Sequence, residues 1–251
     1  MKKDNLLIFI ITSLLWTSCA PRQYTISEIE SNRIAVDSSW DEKLNPEMES
    51  LVNSYKQSLE NQMNIEIGFA KQTMIKGRPQ SLLTNFTADV MRKKAIELWG
   101  EADFAVVNNG GIRSTLNEGT ILVEDLYEIY SFDNTLVLLD LPGEAVIRFF
   151  EAIALEGGQG LSDNLEVVIE KNNLKSLKIG GESVNIDKIY KIATLDYLAE
   201  GNDGMVVFKE ATNKKESHET LRDIMIEYVK QQTVNNYEID AKLDNRIIIN
   251  P

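Results

Sequence analysis

The stretch FAVVNNGGIRS, residues 104–114, joins an apolar run to a polar turn that carries a permanent positive charge. Asn108 and Asn109 can hydrogen-bond a ligand or the turn itself, and Gly110-Gly111 permits close approach of the backbone. Arg113 follows with a planar guanidinium whose donors suit a phosphate or the hydroxyls of a sugar. A plain hairpin turn with a surface arginine explains the same residues, so this stretch alone leaves both interpretations open.

Two aromatic residues stand in polar surroundings further along the chain, Phe132 in YSFDNT and Tyr197 in DYLAEGNDG. Two rings in loops can sandwich a flat base, and each contact is worth about 1–3 kcal/mol by analogy with base stacking on proteins. Asp203, in the loop after Tyr197, can accept hydrogen bonds from a ribose diol. Arg78 is a second arginine in a turn. Taken singly, each ring is also explained as a cap on the core, and Arg78 as a surface residue.

The sequence lacks the histidine and cysteine residues that a metal centre or a nucleophilic catalytic centre of the usual kinds would need. The sequence has one cysteine and one histidine, His218, which we place at the solvated start of a predicted helix. A dinuclear His-based site, a zinc site and a Ser-His-Asp or His-Cys centre are therefore not supported. No spacing singles out a pair among the 39 acidic residues, and dinucleotide and P-loop patterns are absent.

The net charge of −13 argues against nucleic-acid binding through a general positive field. An anionic ligand must instead be held by a few local arginines.

The first 18 residues predict a bacterial lipoprotein signal peptide. A basic start precedes an apolar run that is too short to span a membrane. The following WTSC resembles a lipobox that ends at Cys19, with Trp16 where the box usually has leucine. We expect Cys19 to be lipidated and to anchor the chain to the bacterial cell envelope, facing the periplasm or the surface. Residues 19–40 are expected to form a flexible tether.

The elements that must position the candidate residues alternate irregularly. Apolar spacings of three and four predict helices at 45–63, 81–99, 123–130, 144–156 and 218–234. Strands are predicted within 65–77, 104–107, 135–141, 164–184, 188–195 and 246–249, with a tight hairpin at Gly180-Gly181. This order, with hairpins in the second half, favours an α+β fold over a doubly wound parallel sheet. The apolar stripe of 45–63 is either packed on its own domain or a docking surface.

Six blocks of sequence occur in a fixed order from about residue 68 to the C-terminus. They are GRPQSLLTNFTADVMR, VVNNGGIRS, GTILVEDLYEIYSFDNTLVLLDLPGEAV, GLS, YKIATLDYLAEGNDG and DNRIII. Together they resemble the C-terminal domain of the bacterial and animal 5′-nucleotidase family. The resemblance implies an α+β layered fold with a mixed or antiparallel sheet and flanking helices. It also implies a domain at 41–251, with a connecting helix at 41–66.

In that family the C-terminal domain binds the substrate, and a preceding metallophosphatase half carries two metals and hydrolyses the ester. The positions that match its substrate-binding motifs are Arg78, Asn108, Gly110, Gly111, Arg113, Phe132, Tyr197 and Asp203. The resemblance implies that Phe132 and Tyr197 clamp the base and that Asp203 holds the ribose. It places Arg78, Asn108 and Arg113 near the nucleotide, although the spacing at Arg78 is one residue longer than usual.

Three substitutions depart from the family pattern. Tyr197 stands where phenylalanine is usual, Ser131 where proline is common, and Asn202 where glycine is common. A tyrosine keeps the stacking face and adds a hydroxyl group. The base preference is therefore left open by the sequence.

The metallophosphatase half has no counterpart in this sequence. About 50 residues separate Cys19 from the first matching block, and no Asp-x-His or Gly-Asn-His-Glu motif occurs. We expect a nucleotide- or nucleoside-binding subunit with no cofactor of its own, working with a separate metallophosphatase chain that carries the divalent metals. One alternative is a non-catalytic surface lipoprotein that binds nucleotides or nucleosides for scavenging. Another is a structural module with an eroded site.

Overall fold

A computed structural model describes Tyr24, residues 26–39 and residues 45–250. The predicted signal peptide and Cys19 lie outside the described residues. Contacts divide the chain into two units, Met1–Leu51 and Val52–Pro251, with the boundary inside the first helix. In the first unit, residues 26–36 are exposed and carry no helix or strand. Whether they serve as a flexible tether stays a prediction, as do the domain limits at 41–251.

The helices and strands within the described residues follow the predicted order closely. The helices are α1 (Pro46–Met63), α2 (Leu82–Trp99), α3 (Val123–Ile129), α4 (Gly143–Glu156), α5 (Asp196–Ala199) and α6 (Leu221–Val234). The strands are β1 (Glu66–Ala70), β2 (Phe104–Val107), β3 (Gly119–Leu122), β4 (Thr135–Pro142), β5 (Gly160–Leu161), β6 (Leu165–Glu170), β7 (Asn173–Ile179), β8 (Glu182–Ser183), β9 (Ile189–Leu195), β10 (Asn213–Thr220) and β11 (Ile247–Asn250).

The strands form three sheets in the described part of the chain. A five-stranded sheet has the order β10-β4-β9-β2-β5, a four-stranded sheet the order β11-β6-β7-β8, and β1 pairs with β3. In the five-stranded sheet β2 runs parallel to β9, whereas β4 runs antiparallel to β9. The fold is therefore α+β with mixed sheets, as the sequence predicts.

The five-stranded sheet is held by helices that pack on its apolar side chains. All four residues of β2 are buried, and α2 packs against β2 and β5. Ser81 caps α2 by accepting a hydrogen bond from the Thr84 amide, and Gly100 ends the helix in the left-handed region. Phe149 of α4 stacks on Phe208, with ring centroids 4.9 Å apart. These contacts fix the strands whose ends carry the candidate site.

The end of the chain corrects one prediction. His218 lies in β10 and not at the start of a helix, and α6 begins at Leu221 with Thr220 as its cap. The segment NKKESHET carries no apolar pattern. It becomes a strand because it pairs with β4 along the edge of the sheet. His218 is exposed, as expected.

The second half of the chain contains the predicted hairpin turn and a second turn that was not predicted. Gly180 and Gly181 have φ values of 62° and 82° and connect β7 to β8, which confirms the predicted hairpin. Lys171 and Asn172 form a similar turn between β6 and β7, with φ values of 49° and 63°. A lysine is an unusual residue for the left-handed region, so sequence reasoning gave no signal for this second turn.

Helix α1 keeps its apolar stripe at the surface. No residue of α1 is buried, and the exposed fractions of Met48, Val52, Tyr55 and Leu59 all exceed one half. The exposure of these side chains gives no support to packing of the stripe on its own domain, although Met63 at the end of α1 packs against the core. Among the described residues, no helix combines the length and apolarity needed to cross a membrane.

Candidate functional site

Three loops meet at one edge of the five-stranded sheet and enclose a cavity of about 350 Å³. Because β2 and β9 are parallel neighbours, their carboxyl ends lie at the same edge. The antiparallel pairing of β4 with β9, with Leu136 opposite Leu195, brings the start of β4 to that edge as well. The residues that line the cavity are Asn108, Gly110, Gly111, Arg113, Phe132, Asn134, Tyr197 and Asp203. The structure thus brings together the predicted site residues, with the exception of Arg78.

The loop after β2 is a tight 3₁₀ turn at Asn109–Gly111, and not the hairpin that the sequence alone allows. A Cβ atom on Gly111 would lie 2.8 Å from Oδ1 of Asn108, and one on Gly110 would lie 3.3 Å from Oδ2 of Asp203. Neither glycine has a left-handed φ. A side chain at either position would therefore press on Asn108 or Asp203. Close approach of this backbone to a ligand stays a prediction.

Asn108 is nearly inaccessible, with 4% of its surface exposed. Its Nδ2 donates a hydrogen bond to Oδ2 of Asp203. Its Oδ1 is buried and has no hydrogen-bond partner among the described residues. An unpaired buried acceptor costs about 1–3 kcal/mol. Since Asn108 lines the cavity, a ligand that donates a hydrogen bond to this oxygen would remove that cost.

Arg113 is exposed and is anchored by its backbone, whose N–H donates to the Ile129 carbonyl at 2.8 Å. Its Nη1 donates to the Gly110 carbonyl at 3.2 Å, and its guanidinium carbon lies 6.0 Å from the centre of the Phe132 ring. No acidic side chain pairs with it within the described ranges. Five of the other described arginines have carboxylate partners, namely Arg78, Arg92, Arg148, Arg222 and Arg246. Arg113 is therefore a cation available to an anion.

The two aromatic residues differ in their setting. Phe132 lies in the loop between α3 and β4, as predicted, with 49% of its surface exposed. Tyr197 is 42% exposed but lies in the first turn of α5 and not in a loop, which corrects the prediction. The helix forms because two of its own residues, Leu198 and Ala199, are buried against the domain. Both rings line the cavity.

Asp203 lies in the turn between α5 and the 3₁₀ segment Val206–Glu210, with a φ of 50°. Its Oδ1 accepts a hydrogen bond from Oη of Tyr197 at 3.1 Å. This hydrogen bond to a carboxylate raises the pKa of Tyr197 above its ordinary value. Asp203 thus links the turn after β2, through Asn108, to helix α5, through Tyr197.

Arg78 does not line the cavity. Its guanidinium lies 3.5 Å from the Glu156 carboxylate and also donates to the Glu156 carbonyl. Glu156 accepts a hydrogen bond from Gln159 at 2.8 Å, and the backbone N–H of Asn109 donates to Gln159 at 3.0 Å. Arg78 therefore reaches the site through two intervening side chains. As a direct ligand contact it stays a prediction from the resemblance.

Sequence reasoning missed two residues of this region. Asn134 lines the cavity, and buried Gln159 holds the turn that begins at Asn109. Both stand inside or beside matching blocks, in SFDNT and directly before GLS. Their polar character next to those blocks was the signal available.

A larger groove of about 530 Å³ lies elsewhere, along α2 and α6. Most of its charged residues already have partners. Asp89 pairs with Arg246, Arg92 with Asp163, and Lys93 lies 4.9 Å from the centre of the Tyr228 ring. We therefore give the smaller cavity with its unpaired arginine more weight.

In the described part of the chain, no group of three or more His, Cys, Asp or Glu side chains is arranged to hold a metal ion.

Known proteins match the chain in both sequence and fold. The family model for "5′-nucleotidase, C-terminal domain" matches residues 66–210, which is more than half of the chain. The trifunctional nucleotide phosphoesterase protein YfkN of Bacillus subtilis is 29% identical over 223 residues, covering 81% of this chain and 15% of that protein. A 5′-nucleotidase of Diplobatis ommata is 28% identical over 246 residues, covering 85% of this chain and 42% of that protein.

The fold matches that of the 5′-nucleotidase precursor from Thermus thermophilus with a TM-score of 0.70 and 24% identity, covering 81% of this chain and 43% of that one. The chain spans less than half the length of these relatives. From the family match and the shared architecture, the chain belongs to the family of the 5′-nucleotidase C-terminal domain.

Proposed function

We propose that this chain binds the base and sugar-phosphate of a nucleotide and presents it for hydrolysis by a separate metallophosphatase chain. The two chains would form a 5′-nucleotidase or UDP-sugar hydrolase type of system, acting in nucleotide catabolism. The observation that carries the proposal is Arg113, an arginine without a carboxylate partner in the described residues, in a cavity that two exposed rings also line. Family membership supports the same assignment.

The cavity offers a complementary group for each part of a nucleotide. Phe132 and Tyr197 present aromatic faces to a base, each worth about 1–3 kcal/mol if stacked. Arg113 can donate two parallel hydrogen bonds to a phosphate. The Asp203 carboxylate can accept hydrogen bonds from sugar hydroxyls or from an amino group of the base. These residues bind and orient the ligand, and we assign the metals and the hydrolytic step to the partner.

Helix α1 is the surface that we propose for the metallophosphatase. Its stripe of Met48, Val52, Tyr55 and Leu59 is more than half exposed at every position. A row of exposed apolar side chains on one helix face is the usual form of a helical docking surface. The choice is supported by the resemblance, which implies that α1 corresponds to the helix connecting the two halves of the family.

Binding is tested by calorimetry on the purified chain with AMP, UMP and a UDP-sugar. Phe132→Ala should weaken binding about 5- to 150-fold, the equivalent of 1–3 kcal/mol. Tyr237→Ala is the matched control, since Tyr237 is 65% exposed and does not line the cavity. Arg113→Met should weaken the binding of AMP more than that of adenosine. Arg148→Met, at an exposed arginine outside the cavity, should leave the affinity for both ligands unchanged. Absence of binding to all of these ligands would contradict the proposal.

The partner is tested by mixing the chain with a metallophosphatase that lacks this domain and measuring phosphate release from AMP or a UDP-sugar. We expect the mixture to exceed the metallophosphatase alone, and Tyr55→Asp with Leu59→Asp to abolish the gain. Gln57→Asp, on the opposite face of α1, is the control. Ligand binding without any gain in hydrolysis would instead support the alternative, a scavenging lipoprotein that binds nucleotides or nucleosides.

The pure chain by itself should show no metal-dependent phosphatase activity. Hydrolysis by the pure chain that a chelator abolishes would contradict this assignment of the metals.

We also propose that the chain is anchored in the bacterial cell envelope through a lipid on Cys19. The support is the lipobox-like WTSC after an apolar run.

A further inference from the structure

The Asp203 carboxylate is already engaged within the chain on both of its oxygens. Oδ1 accepts from Oη of Tyr197 at 3.1 Å, and Oδ2 accepts from Nδ2 of Asn108. Both donors line the same cavity as Asp203. A ligand hydroxyl that approaches Oδ1 therefore meets an acceptor that a tyrosine already uses.

The loop that carries Asp203 is held in place, so this contact is a built feature. Nδ2 of Asn202 donates to the Tyr197 carbonyl at 2.8 Å, and the Met205 amide donates to the Asn202 carbonyl at 3.0 Å. A Cβ atom on Gly204 would lie 2.6 Å from the Glu156 carboxylate, so the loop packs closely on the end of α4. These contacts therefore keep the side chains of Asp203 and Tyr197, which are six residues apart in the sequence, within hydrogen-bond distance.

We propose that the Tyr197 hydroxyl is a specificity-determining group that occupies Asp203 and lowers the preference of the site for a ribose over a 2′,3′-dideoxyribose. This inference rests on the proposed function, because it assumes that a nucleoside or nucleotide enters the cavity. The anion-binding side of the ligand belongs beside Arg113, and a carboxylate repels phosphate. Sugar hydroxyls are ligand donors that suit Asp203.

The reason is an exchange of equivalent donors. When a sugar hydroxyl replaces the phenol on Oδ1, one hydroxyl-to-carboxylate hydrogen bond is lost and a similar one is gained. The net gain from the sugar hydroxyl is therefore small. With phenylalanine at position 197, Oδ1 of Asp203 has no phenol donor in the free protein. A sugar hydroxyl then adds a hydrogen bond without displacing one. The aromatic face toward the base is kept in both forms.

The test compares wild type and Tyr197→Phe by calorimetry with adenosine and uridine, each beside its 2′,3′-dideoxy form. We expect the ratio of affinities, ribose over dideoxyribose, to rise about 2- to 10-fold in Tyr197→Phe, the usual worth of one hydrogen bond. In the Asp203→Asn background the same Tyr197→Phe change should leave the ratio unaltered. Tyr127→Phe, at an exposed tyrosine outside the cavity, is the control.

A readout without any ligand checks the contact itself. The pKa of Tyr197, which Asp203 raises, should fall toward the ordinary value in Asp203→Asn, as followed by NMR of ring-labelled tyrosine. An unchanged Tyr197 pKa, or an unchanged ratio with nucleosides bound, would overturn the inference while the proposed function stands. Failure of wild type and Tyr197→Phe alike to bind any nucleoside or nucleotide would overturn the proposed function, and the inference with it.

Discussion

Replacing Arg246 by methionine should destabilise the domain by about 3–4 kcal/mol, because it removes the cation of a buried charge cluster and leaves the carboxylates in place. Only 2% of Arg246 is accessible. Its guanidinium makes paired hydrogen bonds to Asp244, at 2.8 and 2.7 Å, and to Asp89, at 2.7 and 3.1 Å. A further bond of 2.6 Å reaches the carbonyl of Leu161 in β5. The variant would remove the guanidinium donors from two carboxylates and one carbonyl, while Asp89 keeps a hydrogen bond from the Asp163 backbone N–H at 2.8 Å.

The size of the effect follows from how far each partner is buried. The side chains of Asp89 and Asp244 are 35% and 19% exposed, so water partly replaces the lost donors. We therefore expect the lower part of the 3–5 kcal/mol range that is typical for breaking a buried pair. For a domain of this size, each kcal/mol lowers the melting temperature by about 2–4 °C. The expected fall is about 6–16 °C.

The assay is urea unfolding followed by circular dichroism, with the melting temperature as a second measure. Arg148→Met is the matched control, since Arg148 and its partner Glu210 are 45% and 49% exposed. Exposed pairs contribute about 1 kcal/mol or less. If Arg246→Met costs no more than Arg148→Met, the reasoning from burial is refuted, and the cluster is solvated in the folded protein.

Three further changes have defined outcomes. Gly111→Ala should weaken nucleotide binding at least about tenfold, the equivalent of 1.4 kcal/mol, because the new Cβ would lie 2.8 Å from Oδ1 of Asn108. Gly77→Ala, whose Cβ would meet nothing closer than 3.6 Å, should not, and equal effects in calorimetry would contradict the steric argument. Asp244→Asn should cost stability at neutral pH. Burial raises the pKa of Asp244, but the hydrogen bonds and charge of Arg246 outweigh burial and leave it below its ordinary value. A carboxylate whose pKa is lowered by folding stabilises the folded state at pH values above its ordinary pKa of about 3.9. This stabilisation is lost as the pH falls through the lower pKa of the folded state. The urea midpoints of variant and wild type should therefore converge in acid. A constant difference at all pH values would contradict this. Cys19→Ser should move the chain from the membrane fraction to the soluble fraction on cell fractionation, and an unchanged distribution would contradict the proposed lipid anchor.

Local sequence determined the elements with a strong pattern. Phe104–Val107 is a run of four apolar residues that has to be buried as a strand. Ser81 and Gly100 bracket a helix with the usual start and stop signals. The ordered blocks also identified the family and the residues Asn108, Arg113, Phe132 and Asp203, which the fold then brings to one cavity.

Pairing between distant segments decided what local pattern could not. β10 has no apolar alternation, and it is a strand because β4 offers its unpaired edge. The sequence therefore misplaced His218 in a helix. In the same way, Tyr197 lies in a helical turn because burial of Leu198 and Ala199 fixes the chain there. Tertiary packing overrides weak local preference in both segments.

The sequence by itself determined which chemical groups the site contains: a guanidinium, an amide, a carboxylate and two rings, in a chain whose composition argues against metal and nucleophile centres built on histidine or cysteine. Only the tertiary structure decided which of these groups are free to act. It pairs Arg78 with Glu156 and leaves Arg113 without a carboxylate partner among the described residues. It also sets the Tyr197 hydroxyl on Asp203. The physical reason is that charge pairing and hydrogen bonding depend on distances of a few ångströms between residues far apart in the chain, and only the packed sheet and its helices set those distances.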